Sequence, residues 1–279
     1  MAAVQELGDG VFQFQTERWQ TNALLAVAGG EALLCDPNWE PAEIEAIRDR
    51  AAALAGGATH LLITHADYDH TCGIGFFPAA TVVAGDDTAA KIRSGAAADG
   101  LRGAAADWGL AWPAELRVDR IVAGGEEIRL GAFRVRALEA RGHVADGRAY
   151  VLLEQGVLLP GDYVSAMTYP FVVDSIARYR ETNARLLSAL DEHDLRWVVP
   201  GHGPALTPDQ ARSVASEDDV YLAAVQEAAR EAVGAGLAPS PALLHVYAVE
   251  PPRGTTDDFE IYGLRVWNAK KALAEASGA

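Results

Sequence analysis

Four apolar stretches of the sequence lead into a residue that can bind a metal ion, and this recurrence constrains the fold more than any other feature. "LLIT" runs into His65, "FRVRALEA" is followed by His143, "GVLLPG" by Asp162 and "RWVVPG" by His202. Short, nearly all-apolar runs bounded by turn residues are typical of buried strands. Functional residues concentrate where a rigid strand passes into a loop, so we expect these four to lie close together.

The segment "THADYDHTCG" at 64–73 concentrates further ligand types around the first of these strand ends. Its candidates are His65, Asp67, Asp69 and His70. A lone histidine after a strand is usually structural, and clustered carboxylates repel one another. A bound cation removes that repulsion. Four of the seven histidines fall beside predicted turns in this arrangement, so the sequence favours a metal site over a chance cluster.

The order of apolar runs and helical segments predicts an α/β protein. Strands occur both in hairpins and between helices, which is typical of an α/β sandwich. A helix is predicted from about Pro41 to Ala55, an amphipathic helix begins near Ile176, and mainly helical sequence follows from Pro208. No long Pro/Ser linker divides the chain. We therefore predict one domain at 1–207 and a helical C-terminal extension at 208–279 packed on that domain.

Composition excludes several classes of function. The net charge of -16 opposes binding to nucleic acid or to anionic membranes, because both require surplus Lys and Arg. No apolar run reaches the roughly 18 residues of a transmembrane helix, and no secretory signal is visible at the start. Only two cysteines are present, which is no disulfide framework. These features predict a cytoplasmic protein without nucleic-acid or membrane partners.

The spacing of the candidate ligands resembles that of the metallo-β-lactamase superfamily. That family carries an Asp after an early strand, an HxHxDH loop, and later His, Asp and His residues at strand ends. The matching residues here are Asp36, His65, Asp69, His70, His143, Asp162 and His202. The resemblance runs from about residue 10 to 205. It implies an αββα sandwich of two mixed β-sheets flanked by helices, with the metal site at one edge.

The resemblance also implies how the ligands would divide between two metal ions. The first ion would be held by His65, Asp67 and His143. The second would be held by Asp69, His70 and His202, and Asp162 would bridge the two. Asp36 would not touch metal but would orient the ligand loop through hydrogen bonds.

Asp67 is the departure from this pattern, because the family usually has histidine there. A third carboxylate removes the net positive charge that two divalent ions would otherwise leave, and carboxylate oxygen favours manganese and iron over softer ions. Aspartate is also shorter than histidine, so its oxygen is expected to fall short of the first metal unless the loop shifts or a water bridges the gap. A weak first site is the other expectation.

Three metal contents follow from these considerations. We expect two divalent ions, zinc with iron or manganese as alternatives. A single ion at Asp69, His70 and His202 is the second expectation, and a degenerate, metal-free fold is the third.

The expected function is metal-dependent hydrolysis, in which a metal-activated water or hydroxide attacks a small ester, thioester, lactone, amide or phosphoester. Asp69 is the candidate catalytic residue, because it could orient the water or accept its proton. An iron-dependent oxidoreductase and a non-catalytic binding protein on the same fold are the alternatives. The expected partner is a small-molecule substrate, and the sequence leaves homo-oligomerisation open.

Overall fold

The computed structural model describes residues 3–112, 115–257 and 263–278. Within these ranges seven strands form the first sheet in sequential order. They are β1 Ala3–Gly8, β2 Val11–Gln15, β3 Asn22–Ala28, β4 Glu31–Cys35, β5 His60–Leu62, β6 Thr81–Ala84 and β7 Arg120–Ile121. The second sheet has five described strands in the order β12-β11-β10-β9-β8. They are β8 Glu127–Leu130, β9 Phe133–Glu139, β10 Arg148–Leu152, β11 Val157–Leu159 and β12 Trp197–Val198.

Both sheets are mixed. In the first sheet β1 to β4 pair antiparallel, and β4 to β7 pair parallel. In the second sheet β8 to β11 pair antiparallel, and β12 joins β11 in parallel. Parallel neighbours need a crossover connection, and helices supply it in the first sheet. This mixed pairing is the one expected of an αββα sandwich.

The helices lie on the outer faces of the sheets. Those in the described residues are α1 Pro41–Ala55, α2 Tyr68–Thr71, α3 Asp86–Arg93, α4 Ala96–Trp108, α5 Ile176–Glu192, α6 Pro208–Gly234, α7 Pro239–Tyr247 and α8 Leu264–Ala276. A 3₁₀ turn at Cys72–Phe76 follows α2 directly. No helix of the described residues combines the length and the apolarity needed to cross a bilayer.

Neighbouring residues of one strand belong to different apolar layers, which explains why the strands read as continuous apolar runs. Leu33 of β4 packs in the core between the two sheets, together with Phe133 of β9. The next residue, Leu34, packs on the opposite face with Ile44 and Ile47 of α1. Successive strand side chains point to opposite faces, so a strand buried on both faces needs no polar alternation. These layers confirm the expected αββα fold.

Helix α1 matches its predicted bounds because local signals mark both ends. Pro41 occupies the first turn, where its missing N–H leaves no hydrogen bond unmade. Gly56 ends the helix with φ of 72°, a left-handed conformation that glycine adopts readily. Ile44, Ile47 and Ala51 between them are fully buried at helical spacing.

The C-terminal helices pack on the outer face of the second sheet. Leu222 of α6 and Leu264 of α8 belong to the same buried cluster as Val151 of β10 and Leu186 of α5. Helix α6 begins at Pro208, where the predicted extension begins. The division of the chain into a domain at 1–207 and an extension at 208–279 stays a prediction. Residues 258–262, which the predicted extension includes, lie outside the described residues.

Two elements bury few of their residues and were not predicted individually from the sequence. Strand β1 buries only Leu7 of its six residues, so no alternation marks it as a strand. Helix α7 buries Ala242 and Val246 and leaves Leu244 67% exposed. Strand β1 pairs with the following strand β2, and α7 packs against α6 and α8.

Candidate metal centre

Four candidate ligands lie on the short loop after β5, which passes from non-helical chain into the single helical turn of α2. His65 lies between β5 and α2, and Asp67 is the N-cap of α2 in an extended conformation, with φ of −69° and ψ of 149°. Asp69 and His70 lie in the single turn of α2, where both are buried. The change from extended chain to helix separates the four side chains into two pairs.

The remaining ligands come from the ends of three strands of the second sheet. His143 follows β9, Asp162 follows β11 and His202 follows β12. A glycine, Gly201, lies where the loop that carries His202 passes next to Asp162. A Cβ on Gly201 would lie 2.1 Å from Asp162 Oδ1, so no larger residue fits there without movement. All seven predicted ligands therefore lie at one edge of the sandwich.

The first group consists of His65, Asp67 and His143. Asp67 Oδ2 lies 3.7 Å from His65 Nε2 and 3.8 Å from His143 Nε2. The aspartate was expected to fall short of a metal ion. Its oxygen approaches both imidazoles, and the expected shortfall stays a prediction.

The second group consists of Asp69, His70 and His202. Asp69 Oδ2 lies 3.4 Å from His70 Nε2 and 3.4 Å from His202 Nε2. Ligand atoms about 2.1 Å from a tetrahedral ion lie about 3.4 Å from one another. Asp69 therefore lies from both histidines at the spacing of two ligands of a tetrahedral ion, and Asp67 lies slightly farther from its two histidines.

Asp162 lies between the two groups. Its Oδ2 is 3.2 Å from His143 Nε2 and 3.3 Å from His202 Nε2. Its Oδ1 is 3.3 Å from His70 Nε2. One carboxylate thus faces a histidine of each group, which is the placement that a bridging ligand requires.

The buried atoms that face inward fit a metal centre. His65 Nε2, His70 Nε2, His143 Nε2 and Asp162 Oδ1 are buried and have no hydrogen-bond partner. A buried polar atom without a partner destabilises a fold by about 1–3 kcal/mol. Metal coordination would satisfy all four atoms, so the residues present fit divalent ions.

The outward nitrogen of each histidine is held by another group. His143 Nδ1 lies 2.7 Å from the Phe171 carbonyl oxygen, and His202 Nδ1 lies 2.9 Å from the Trp19 carbonyl oxygen. Donation from Nδ1 to these acceptors leaves the Nε2 lone pair facing the site. The histidines are therefore held in the tautomer that metal binding needs.

Asp36 holds the ligand loop, as the resemblance implied. Its Oδ1 accepts from the Thr64 backbone N–H at 2.9 Å, and its Oδ2 accepts from the Thr64 hydroxyl at 2.7 Å. His70 Nδ1 lies 3.0 Å from the same Oδ2. The Thr64 hydroxyl in turn lies 2.9 Å from His65 Nδ1. One buried carboxylate thus orients a histidine of each group without facing the site itself.

The carboxylates create a negative potential at the centre. Burial would lower the pKa of His70 and His202, but the carboxylates of Asp69 and Asp162 raise the pKa of both above its usual value. Burial likewise opposes ionisation of Asp69, yet His70 and His202 lower the pKa of Asp69 to about 2. Asp69 is therefore ionised at neutral pH, and the site favours a cation.

A cavity of about 330 Å³ opens over the candidate ligands. Asp67, Asp69, His143, Asp162 and His202 lie among its lining residues. Its apolar wall includes Trp19, Tyr68, Ala97, Phe171 and Leu264. The cavity gives a small molecule direct access to both groups.

Sequence reasoning missed Trp19, which contacts both the cavity and a ligand. Trp19 has φ of 56° and Gln20 has φ of 47°, so two consecutive residues without glycine's freedom adopt the left-handed conformation. This turn aims the Trp19 carbonyl at His202, while the Trp19 ring stacks on Trp39 with centroids 4.7 Å apart. Such strain clusters at functional sites. No local motif in "TERWQTN" indicates it.

Lys91 and Asp146 were also missed. Lys91 of α3 lines the cavity, and its Nζ lies 2.7 Å from Asp146 Oδ1. The Lys91 Nζ is also 3.6 Å from Asp67 Oδ1. Lys91 is distant along the chain from every candidate ligand, and Asp146 follows His143 closely but belongs to no recognisable motif. Neither residue therefore gives a signal in the sequence.

The chain matches the family model of the metallo-beta-lactamase superfamily over residues 16–202. The match covers more than half of the chain and includes all seven candidate ligands. The chain therefore belongs to the metallo-beta-lactamase superfamily. Members typically bind divalent metals, and the His/Asp groups described above are where such ions would lie.

Solved structures share the fold at low sequence identity. A metallo-beta-lactamase family protein from Thermus thermophilus has a TM-score of 0.67 and 21% identity, covering 98% of this chain and 96% of that chain. Metallo-beta-lactamases from Hirschia baltica and Erythrobacter litoralis have TM-scores of 0.57 and 0.58 at 18% identity, each covering 77% of this chain and 96% of the other. The Thermus alignment extends over most of the C-terminal helices. No curated protein matches the chain in sequence.

Proposed function

We propose that this protein is a metal-dependent hydrolase with two divalent ions at the centre described above. One observation carries the proposal: inward-facing Nε2 atoms of His65, His70 and His143 are buried without hydrogen-bond partners around Asp162. A binding protein without metal would have no reason to retain such atoms, because each one destabilises the fold.

The two groups of candidate ligands would each hold one metal ion. His65, Asp67 and His143 would hold one ion, Asp69, His70 and His202 the other, and Asp162 would contact both. Ions bound there would lower the pKa of water and polarise the bond that is attacked. Asp69 is ionised and lines the cavity, so its carboxylate would orient the attacking water or accept its proton.

The cavity supports a small substrate with an uncharged carbonyl group. Its volume is in the range of small-molecule sites, and its wall is largely apolar. Among the lining residues that the structure describes, Lys91 is the one lysine and arginine is absent, and Lys91 is paired with Asp146. An ester, thioester, lactone or amide therefore fits better than a phosphoester, whose charge would need more cations.

Asp67 keeps a second candidate function open. It supplies an oxygen ligand next to His65 and His143, and oxygen ligands favour iron or manganese more than softer ions. An iron-dependent oxidoreductase would use the same residues. We favour hydrolysis with zinc, iron or manganese, and iron-dependent oxygen uptake would instead support the oxidoreductase.

The first test is metal content and activity in one preparation. Protein freed of metal is reconstituted separately with zinc, manganese and ferrous iron, its metal content is measured, and hydrolysis of an ester, thioester, lactone, amide and phosphoester panel is followed. We expect two ions per chain and hydrolysis of a carbonyl substrate. His202→Ala should reduce kcat/KM by about 100-fold or more, since losing a ligand costs at least as much as losing its outer hydrogen-bond partner.

His245→Ala is the matched control for that variant. His245 lies on α7 and contacts Glu231, outside the cavity. It should leave kcat/KM unchanged. Protein that takes up no metal under any condition, or a His202→Ala variant with full activity, would show that the chain is not a metallohydrolase.

The remaining parts of the proposal concern partners and location. The net charge of -16 supports a protein that binds neither nucleic acid nor anionic membranes. We propose a cytoplasmic protein with a small-molecule substrate. Light scattering would determine whether it forms a homo-oligomer.

A further inference from the structure

Asp67 is less constrained by its surroundings than the other candidate ligands. Its side chain is 40% exposed, whereas those of His65 and His143 are 2% and 4% exposed. A buried imidazole is oriented by packing and by one hydrogen bond at Nδ1. A half-exposed carboxylate has two equivalent oxygens and rotates freely unless one of them is held. An aspartate at this position therefore needs an anchor that histidine would not.

The two oxygens of Asp67 face different partners. Oδ2 faces the two imidazoles of the first group, at 3.7 Å from His65 Nε2 and 3.8 Å from His143 Nε2. Oδ1 faces the Lys91 ammonium at 3.6 Å. The lysine thus lies on the side of the carboxylate opposite the candidate metal position.

Lys91 is itself held in place by Asp146. The Lys91 Nζ donates to Asp146 Oδ1 at 2.7 Å, and the Asp146 side chain is 3% exposed. Thr88, one turn earlier on α3, donates from its hydroxyl to the Asp146 carbonyl at 2.8 Å. Two contacts on one helix therefore fix the position of the ammonium.

Asp146 also holds the chain next to Asp67. Its Oδ2 accepts from the Ala66 backbone N–H at 2.9 Å. The same carboxylate thus fixes the lysine on one side and the residue preceding Asp67 on the other. This arrangement joins the ligand loop, α3 and the turn before β10 at the ligand position where the sequence departs from the pattern that the resemblance implies.

We propose that Lys91 is a positioning residue that holds Asp67 Oδ1, so that Asp67 Oδ2 is directed at the metal ion bound by His65 and His143. The proposal rests on the proposed function, because it requires a metal ion in the first group. It is specific to aspartate: a histidine at position 67 offers no second oxygen for the lysine to hold.

Removing the charge of Lys91 should change metal affinity in opposite directions depending on whether Lys91 positions Asp67 or only repels the cation. Removing a positive charge next to a cation site should by Coulomb's law tighten cation binding. Removing a positioning contact should weaken it, and the loss of such outer partners typically costs about 10- to 100-fold in metal affinity. Lys91→Met therefore has opposite expected outcomes under the two roles.

The experiment measures zinc affinity by competition with a chromophoric chelator, using full-length protein. The binding step lost in Asp67→Ala identifies the site that contains Asp67. At that step Lys91→Met should weaken zinc binding by about 10- to 100-fold, and Lys91→Arg, which keeps a charged donor, should recover most of it. In an Asp67→His background, Lys91→Met should weaken zinc binding by no more than about twofold.

Lys270→Met on the exposed side of α8 is the matched control, and it should leave both binding steps unchanged. The proposal is overturned if Lys91→Met weakens zinc binding equally in both backgrounds or fails to fold in both, since Lys91 would then serve the fold alone. It is also overturned if Lys91→Met leaves zinc binding unchanged and raises only KM, which would assign Lys91 to the substrate.

Failure of the proposed function is distinguished by the unmodified protein. If that protein binds fewer than two zinc ions, the two-metal function fails, and the role of Lys91 fails with it. If that protein binds two zinc ions, its zinc affinity is compared with that of Lys91→Met. That ratio then tests the role of Lys91 without testing the proposed function again.

Discussion

Gly201 shows how little space separates the strand ends that form the centre. A Cβ at this position would lie 2.1 Å from Asp162 Oδ1 and 3.0 Å from His70 Cε1. His70 is fully buried and the Asp162 side chain is only 15% exposed, so neither neighbour moves away freely. The glycine therefore lets two loops of the second sheet and the ligand loop of the first approach one another.

Gly201→Ala should displace Asp162 from its place between the two groups. We expect lower metal content and a free energy of unfolding reduced by about 1–3 kcal/mol, the usual cost of overpacking a filled interior. Metal analysis and urea unfolding measure the two effects. Gly103→Ala is the control: no atom lies within 4 Å of its Cβ position in α4, so it should stabilise the helix by about 0.5–1 kcal/mol. Normal metal affinity in Gly201→Ala would contradict this account.

The candidate ligands could be predicted from the sequence, but the residues that hold them largely could not. His143 and His202 follow apolar strands, and that pattern is visible in the sequence. Their Nδ1 acceptors are carbonyl oxygens of Phe171 and Trp19, which any residue type could supply. A backbone acceptor leaves no trace in side-chain identity, so only the folded chain reveals it.

Helix α6 begins with a capping box, a local sequence signal that marks where the C-terminal helices start. Thr207 Oγ1 accepts from the Gln210 backbone N–H at 3.3 Å, and Gln210 Oε1 accepts from the Thr207 N–H at 2.9 Å. Pro208 follows in the first turn. This capping box satisfies two groups that a helix start otherwise leaves unpaired. It defines where the C-terminal helices begin.

Thr207→Ala should lower the free energy of unfolding by about 1 kcal/mol, the typical value for losing an N-cap side chain. Urea unfolding followed by circular dichroism would measure it. Ser213→Ala on the same helix is the control, because its hydroxyl contacts only the exposed Glu217 among the described residues. That control should change stability by less than about 0.5 kcal/mol. Equal effects of the two variants would show that the capping box does not stabilise α6.

Elements were predictable in proportion to the apolar surface that they bury. Helix α1 buries Ile44, Ile47 and Ala51 at helical spacing, and its bounds agree with the predicted ones. Strand β1 buries Leu7 alone and was not predicted. Its pairing with β2 depends on backbone hydrogen bonds, which composition does not encode.

At the scale of the whole molecule, the C-terminal helices extend a core that the second sheet begins. Leu222 of α6 is fully buried in the cluster that also contains Val151 of β10 and Tyr179 of α5. Removing such a side chain loses burial and leaves a cavity. The helices after Pro208 therefore contribute to the stability of the second sheet, whose strands lead to the candidate ligands His143, Asp162 and His202.

Leu222→Ala should lower the free energy of unfolding by about 2–5 kcal/mol, in a transition that sheet and helices share. Val220→Ala is the control two residues away, because Val220 is 68% exposed, and it should change stability by less than about 0.5 kcal/mol. Fluorescence and circular dichroism should report the same unfolding midpoint. Separate transitions would show that 208–279 folds as an independent unit.

The sequence by itself predicted an α/β sandwich and the set of candidate ligands, because apolar runs and ligand types are properties of single residues and their spacing, and the resemblance to the metallo-β-lactamase superfamily implied the αββα class. Only the tertiary structure decided how those ligands divide around Asp162, how far Asp67 reaches and which lysine lies behind it. Lys91, Asp146 and Asp67 come from three separate segments. Distances between such segments are set by the packing of the layers, and no local pattern in the sequence contains them.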